Sequence, residues 1–225
     1  MIRFTRPAAV ALFALAASAA FASRSIAPPT FDQESVQRHQ GASRLSMVMW
    51  YSTTMFIQRT SATMDAASAR QLGTLLDGYA IFALVDARMD ADASALVSQD
   101  HGRMRASATL QLGDRAPLAV VPEQALPEAV RVAVQAMRPM MVGTLGKLGE
   151  AVEFVVFKDG DKQGRSLMVP DAHLVATLRF DDETFVWRLP AISLQPVRLD
   201  RATGDTFPAD YEFSPFTGHK LEATK

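Results

Sequence analysis

The strongest hydrophobic pattern in the chain is a two-residue alternation on both sides of the acidic turn 181–183. Apolar and polar residues alternate over residues 174–180 and again over residues 185–189. This period is typical of strands with one buried face, and a short turn between two such runs favours an antiparallel hairpin. Large apolar residues at this period are usually core residues rather than ligand contacts. The predicted core face consists of Leu178, Phe180, Phe185, Trp187 and Leu189.

Two other segments have the spacing of amphipathic helices. Asp65 can cap the first helix, which is expected to end at Gly78. Pro127 opens the second, where its missing N–H costs nothing. Pro139 is expected to end or kink that helix. A polar stripe at spacings of three and four lies opposite its apolar residues, and consists of Glu128, Arg131, Gln135 and Arg138.

The remaining patterned segments favour strands. Residues 79–85 are nearly all apolar, which suits an interior strand buried on both faces. Alternation predicts a strand over residues 104–112 that pairs with 117–121. Further strands are predicted at 47–58 and at 153–158, the latter turning at Asp159-Gly160 toward 166–169. The pattern therefore predicts an α+β fold of mainly antiparallel β-sheet with two helices and a ribbon-like C-terminal tail.

Residues 86–103 contain four aspartates beside His101: Asp86, Asp90, Asp92 and Asp100. Such spacing can indicate a calcium loop, which needs a glycine at its sixth position and a bidentate glutamate at its twelfth. If Asp90 opened the loop, Ala95 and His101 would occupy those positions. A solvated loop is therefore the better interpretation.

Gly143, Gly146 and Gly149 follow one another at spacing three, near Lys147. A phosphate loop has the pattern G-x-x-x-x-G-K-[ST], and both ends of that pattern are absent here. The glycines also follow a predicted helix rather than a strand. We interpret them as a flexible linker.

The tail contains two copies of one pattern, X-x-x-Thr-Gly, at 200–204 and 214–218. The pattern resembles the paired C-x-x-C-G knuckles of a zinc ribbon, with Asp200, Thr203, Ser214 and Thr217 at the ligand positions. None is a good zinc ligand, and the chain has no cysteine. The resemblance implies a ribbon that has lost its metal, with turns held by hydrogen bonds and aromatic residues. Chance recurrence of ordinary turn residues explains the pattern equally well.

Residues 1–22 have the organisation of a secretory signal peptide. Arg3 and Arg6 precede an apolar run over residues 8–17, and Ala20-Phe21-Ala22 forms a small-x-small cleavage site. We therefore expect a periplasmic or secreted protein cleaved near Ala22. The predicted divisions are a signal peptide at 1–22, a leader of uncertain order at 23–44, an α+β domain at 45–199 and the tail at 200–225. The composition resembles that of an exported bacterial protein.

Charge and composition exclude several classes of function. Cleavage after Ala22 removes two arginines and no acid, which leaves 21 basic against 24 acidic residues and a net charge of −3. Nucleic acid and anionic membranes are therefore poor candidate partners. No later stretch is long and apolar enough to span a membrane. Without cysteine the mature chain has no disulfides, so its core must supply its stability.

No familiar catalytic motif is present, and we predict no catalytic, cofactor-binding or metal-binding residue. The histidines, His39, His101, His173 and His219, are scattered through polar or turn contexts. Methionines at 47, 49, 137, 140 and 141 could suit Cu(I), but they are better explained as core residues.

Three hypotheses about function remain. The first is a non-enzymatic envelope protein that binds a partner protein through an apolar patch or edge strand. The second is a hydrolase-like periplasmic enzyme with a polar pocket near His101 or His173. The third is a carrier of a small ligand or metal.

Overall fold

The computed structural model describes residues 24–53, 65–89, 96–98 and 100–224, and this part of the chain forms three packed layers. A central sheet has a second sheet on one face and helices on the other. All strand pairs are antiparallel, which confirms the predicted α+β class. The strands are β1 (Val36–Gln40), β2 (Arg44–Tyr51), β3 (Tyr79–Met89), β4 (Leu96–Ser98), β5 (Thr109–Leu112), β6 (Leu118–Ala119), β7 (Glu153–Lys158), β8 (Val175–Phe180), β9 (Glu183–Arg188), β10 (Arg198–Leu199), β11 (Thr206–Phe207) and β12 (Glu222–Ala223).

Five α-helices lie in the described part of the chain. They are α1 (Phe31–Ser35), α2 (Ala66–Leu76), α3 (His101–Ser107), α4 (Glu128–Leu145) and α5 (Lys147–Glu150). Asp65 caps α2 as predicted, because its carboxylate accepts the N–H groups of Ala67 and Ser68. The predicted signal peptide lies outside the described residues.

The central sheet has the order β1-β2-β3, and β4 and β7 share the far edge of β3. Strand β3 is buried on both faces, as its apolar sequence predicts. Phe82 and Leu84 pack toward the second sheet, whereas Ile81 and Val85 pack toward the helices. The middle of this sheet therefore has no solvated face.

The second sheet has the order β6-β5-β8-β9 and contains the predicted hairpin. Its register places Leu178 opposite Phe185, and both are fully buried together with Phe180. Each large apolar side chain contributes about 1.5–3 kcal/mol on burial. The hairpin therefore supplies much of the core between the sheets, where Trp187 also packs against Phe82.

The helix layer covers the opposite face of the central sheet. The buried residues that α2 and α4 contribute to this core are Ala69, Leu76, Val130, Ala133, Met137 and Met141. Met137 and Met141 are buried in the core, as expected from the sequence. Met140, which is also expected to be a core residue, is exposed.

The prediction of a strand over residues 104–112 is wrong in its first half. Residues 101–107 form α3, and β5 begins only at Thr109. Asp100 caps the helix by accepting the Gly102 N–H at 2.7 Å. Met104 and Ala108 are buried four positions apart, a spacing that fits a helical turn as well as an alternating strand.

Pro139, where the second helix is expected to end or kink, does not end it, because α4 continues to Leu145 and buries Met141. The glycines that follow are not a flexible linker. Gly146 turns the chain at a φ of 58°, and a Cβ atom at Gly149 would overlap the Met141 carbonyl. Gly149 is therefore a tightly packed position without room for a side chain, and Gly146 has a backbone conformation that favours glycine.

Residues 24–44 are ordered from Arg24 onward and include α1 and β1. At the start of this segment, the Ile26 N–H donates to the Thr206 carbonyl at 2.9 Å. The Thr206 N–H donates to the Ser25 hydroxyl at 2.9 Å. The leader therefore lies against β11, in the three-stranded tail sheet of order β11-β10-β12.

The interpretation of 86–103 as a solvated loop fails at Asp86, which is fully buried in β3. Both of its carboxylate oxygens accept from the Arg44 guanidinium at 2.8 Å, and Ser46 donates at 3.2 Å. The same guanidinium also binds Asp182 in the β8–β9 turn. Arg44 therefore ties the central sheet to the second sheet. Asp90 and Asp92 lie outside the described residues.

We expect Arg44→Ala to reduce the free energy of unfolding by roughly 3–5 kcal/mol, because it leaves the buried Asp86 carboxylate without its cation. Chemical denaturation measures this loss. Arg201→Ala is the matched control, since Arg201 and its partner Glu222 are both exposed. That variant should lose less than about 1 kcal/mol. Equal losses in the two variants would contradict the role assigned to Arg44.

Candidate functional site

A concave pocket with an arginine-rich wall lies at the outer edge of β7. We call it the arginine pocket. Its cavity volume is about 30 Å³, and the rest of the concavity is open to solvent. Residues from α3, α4, β7 and the segment 120–126 contribute to its wall: Arg105, Val120, Val121, Glu123, Leu126, Arg131, Val134, Gln135, Arg138, Phe154 and Val156.

Glu153, the first residue of β7, anchors the arginines beside this pocket. Its side chain is 5% exposed and accepts from Arg105 Nε at 2.6 Å. His101 Nδ1 lies 3.1 Å from the other carboxylate oxygen, and Arg138 Nη2 lies 4.0 Å from it. A buried carboxylate needs such partners, and here they come from three different helical turns.

The pocket retains positive charge after these contacts. The Arg138 guanidinium carbon lies 5.5 Å from the centre of the Phe154 ring, and its Nη2 atom lies 4.0 Å from the Glu153 carboxylate. Arg131 forms no ion pair within the described part of the chain. Three guanidinium groups therefore face two carboxylates, those of Glu123 and Glu153. An excess cation on an apolar wall is suited to an organic anion.

The polar stripe of α4 is the sequence signal for this pocket. Arg131, Val134, Gln135 and Arg138 fall at i, i+3, i+4 and i+7, so they share one helix face. In the sequence, this stripe is typical of the polar side of an amphipathic helix. In the structure it faces a pocket, because segment 120–126 and α3 rise beside it.

The four histidines do not converge. His101 stands at the start of α3 beside the arginine pocket, the region that the enzyme hypothesis singled out. His39 stacks on Phe185 and lies 2.7 Å from Glu183, at the other end of the sheets. His173 is exposed before β8, and His219 belongs to the tail. Among the described residues, no group of three or more His, Cys, Asp or Glu side chains could hold a metal ion.

The two tail repeats form equivalent turns. Gly204 N–H donates to the Asp200 carbonyl at 2.7 Å, and Gly218 N–H donates to the Ser214 carbonyl at 2.9 Å. Both glycines have positive φ, 78° and 74°. Thr203 and Thr217 each accept the N–H two positions on, at 3.3 Å. The sequence repeat is therefore a structural repeat.

The Asp200 carboxylate joins the two tail turns, because Oδ2 accepts from the Thr217 hydroxyl at 2.8 Å and His219 Nδ1 lies 3.2 Å from both oxygens. Burial raises the pKa of Asp200, but hydrogen bonds from Thr217, the Ala202 N–H and His219 outweigh it and lower the pKa below its usual range. The turns are held together by polar contacts at two of the four ribbon positions. The likeness to a metal-less zinc ribbon stays a prediction.

A third feature is the buried carboxyl of Asp159, just after β7. Its side chain accepts the Met168 N–H at Oδ2, at 2.9 Å, whereas Oδ1 has no partner within the described residues. Burial raises the pKa of this group to about 6, and the nearby Asp77 charge adds to the effect. The carboxyl borders a small pocket beside Arg115 and Lys158.

Comparisons with known proteins assign no function. No protein-family model matches the chain, and no curated protein matches it. One similar solved structure is a protein of unknown function from Burkholderia pseudomallei K96243, with 12% identity and a TM-score of 0.32. The match covers 72% of this chain and 81% of that one. A likeness this weak carries no argument. In the part of the chain that the structure describes, no helix is long and apolar enough to cross a membrane.

We expect Asp159→Asn to remove a pH-dependent loss of stability. The folded-state pKa is about 6 and the ordinary value is 3.8, so the folded state binds the proton more tightly. The contribution is complete below about pH 4 and is lost as pH rises through 6. Between pH 4 and 7 the wild type should lose about 2.5 kcal/mol relative to the variant. Urea denaturation at several pH values measures this difference.

Asp161→Asn is the control for this pH series. Hydrogen bonds from the Arg165 N–H and guanidinium lower the pKa of Asp161, so its contribution has the opposite sign and disappears as pH falls. Parallel pH profiles for the wild type and the Asp159 variant would show that Asp159 does not titrate in this range.

Proposed function

We propose that the protein is an exported, non-enzymatic binding protein of the cell envelope that holds a small organic anion in the arginine pocket. The observation that carries this proposal is the excess of guanidinium charge at Arg131 and Arg138 on an apolar wall. Guanidinium groups bind carboxylates and phosphates through paired, charge-assisted hydrogen bonds. The N-terminal sequence supports export.

The wall of the pocket favours a carboxylate that carries an apolar group. Six apolar side chains surround the arginines, and they are Val120, Val121, Leu126, Val134, Phe154 and Val156. A ligand of this kind would lie across the mouth of the pocket with its apolar part against them, while its anion meets Arg131 and Arg138. Small-molecule sites commonly combine a mostly apolar wall with a few polar groups that fix orientation.

The lining argues for binding rather than catalysis. It contains no serine, threonine, tyrosine or cysteine that could act as a nucleophile. His101 lies 3.1 Å from the Glu153 carboxylate, which is the contact of a possible general base. That contact keeps a hydrolase as the second candidate, but a base without a nucleophile would need water as the attacking group.

Isothermal titration calorimetry of the mature chain with hexanoate and with phenylacetate tests the anion site. We expect both to bind, and hexanol to bind at least tenfold more weakly because it lacks the charge. Arg131→Gln and Arg138→Gln should each weaken binding by about tenfold or more, since a hydrogen bond to a charged group contributes roughly 1.5–3 kcal/mol.

Arg103→Gln is the matched control for these variants, because Arg103 belongs to α3 but pairs with Asp181 outside the pocket. It should bind like the wild type. Absence of binding by either carboxylate, or equal affinity in all three arginine variants, would overturn the anion proposal. Hydrolysis of a p-nitrophenyl ester that His101→Ala abolishes would favour the enzyme instead.

Export has a separate test. Full-length protein expressed in a Gram-negative bacterium should be recovered from the periplasm with its N-terminus at Ser23, which mass spectrometry of the intact protein measures. Leu15→Arg places a charge in the apolar run and should leave an uncleaved protein in the cytoplasm. Cleavage that is unaffected by this substitution would contradict the signal peptide.

A further inference from the structure

A second concave surface lies between α1 and the segment that follows β9, and it shares no lining residue with the arginine pocket. We call it the tryptophan groove. Its cavity volume is about 230 Å³, and it is lined by Phe31, Glu34, Gln37, Trp50, Val186, Trp187, Arg188, Leu189, Ala191 and Ile192. The chain contains two tryptophans, and both line this groove.

At one end of the groove, a side-chain amide binds the backbone of the outer edge of β9. The Gln37 side chain donates from Nε2 to the Val186 carbonyl at 2.6 Å. The Val186 N–H in turn donates to Gln37 Oε1 at 3.1 Å. These are the two bonds that a peptide group of a neighbouring strand would make. The Gln37 amide therefore takes the place of a strand at this position.

The next outward-facing position on the same edge is Arg188. Backbone groups of a strand point alternately to its two sides, so Arg188 presents its N–H and C=O to the same side as Val186. Leu189 faces the other way, because its N–H donates to the Leu174 carbonyl at 2.9 Å. Within the described residues the Arg188 backbone has no hydrogen-bond partner. The groove thus contains an unpaired donor and acceptor above an apolar floor.

The other end of the groove is fixed. The Glu34 carboxylate accepts the N–H groups of Ile192 and Ser193 at 2.6 Å and 2.8 Å. These bonds hold α1 against the turn at Ile192–Leu194. The groove is therefore bordered by two sets of polar contacts, at Val186 and at Ile192–Ser193.

We propose that the tryptophan groove binds a short extended peptide segment with one large apolar side chain. The segment pairs its backbone with Arg188, as the Gln37 amide pairs with Val186, and places its side chain against Trp50 and Trp187. Strand addition of this kind takes affinity from main-chain bonds and specificity from the side-chain pocket. The proposal is independent of the anion site, and it supplies the edge-strand contact that the partner-binding hypothesis predicts.

Intrinsic tryptophan fluorescence of the mature chain tests the proposal directly, because both fluorophores line the groove. We expect acetyl-Ala-Leu-Ala-amide to cause a saturable change and acetyl-Ala-Ala-Ala-amide to bind at least tenfold more weakly. Saturating hexanoate should leave the peptide affinity unchanged, which separates failure of this site from failure of the anion site. No saturable change up to about 10 mM peptide would overturn the proposal.

Two pairs of variants distinguish the edge from the floor. Arg188→Pro removes the outward N–H and should weaken binding tenfold or more. Thr184→Pro is its control, because Thr184 has the same outward alternation but lies outside the groove. Ile192→Gln should likewise weaken binding, whereas Leu194→Gln, at an exposed position outside the lining, should not. Circular dichroism verifies that each variant folds; equal affinity within both pairs would contradict the proposed site.

Discussion

Burial of both faces of β3 is the constraint on which the other layers depend. Residues 79–85 carry almost no polar side chain, so each face would expose apolar surface unless another layer covers it. The β8–β9 hairpin covers one face, and α2 with α4 covers the other. Arg44 then joins the two sheets by binding Asp86 in one and Asp182 in the other. A charge pair thus fixes the alignment of layers that apolar packing holds together.

Both candidate sites lie where strand pairing stops. The interior faces between the layers are closely packed. At the outer edge of β7, Val120 and Val121 are the pairing partners among the described residues, and the arginine pocket opens beside them. At the outer edge of β9, a single side-chain amide from Gln37 takes the place of a strand. Both candidate ligand sites therefore lie at sheet edges that are incompletely paired.

Local periodicity explains which elements are predictable from the sequence. The β8–β9 hairpin, α2 and β3 follow from patterns within a dozen residues, together with the Asp65 cap and the apolar run 79–85. Helix α3 is missed because Met104 and Ala108 fit a period of two as well as a helical turn. Pro139 is tolerated because burial of Met141 continues the helix beyond it.

The candidate site is less predictable than the fold, because its residues come from separate parts of the chain. Glu153 and Arg105 are 48 residues apart, and no local motif links them. Likewise, the burial of Asp86 depends on Arg44, which lies 42 residues earlier. Arg131 and Arg138 are visible in the sequence as a polar stripe, but only tertiary packing turns that stripe toward a pocket.

The contact between the leader and the tail sheet has a consequence for the order of folding. Arg24 and Asp205 are joined by a hydrogen bond across 181 positions, and Arg24 also lies over the Phe216 ring. Closing so long a loop is entropically costly and slow unless the intervening chain is already compact. The three-layer core is therefore expected to form first, and the contact between the leader and the tail sheet to close last.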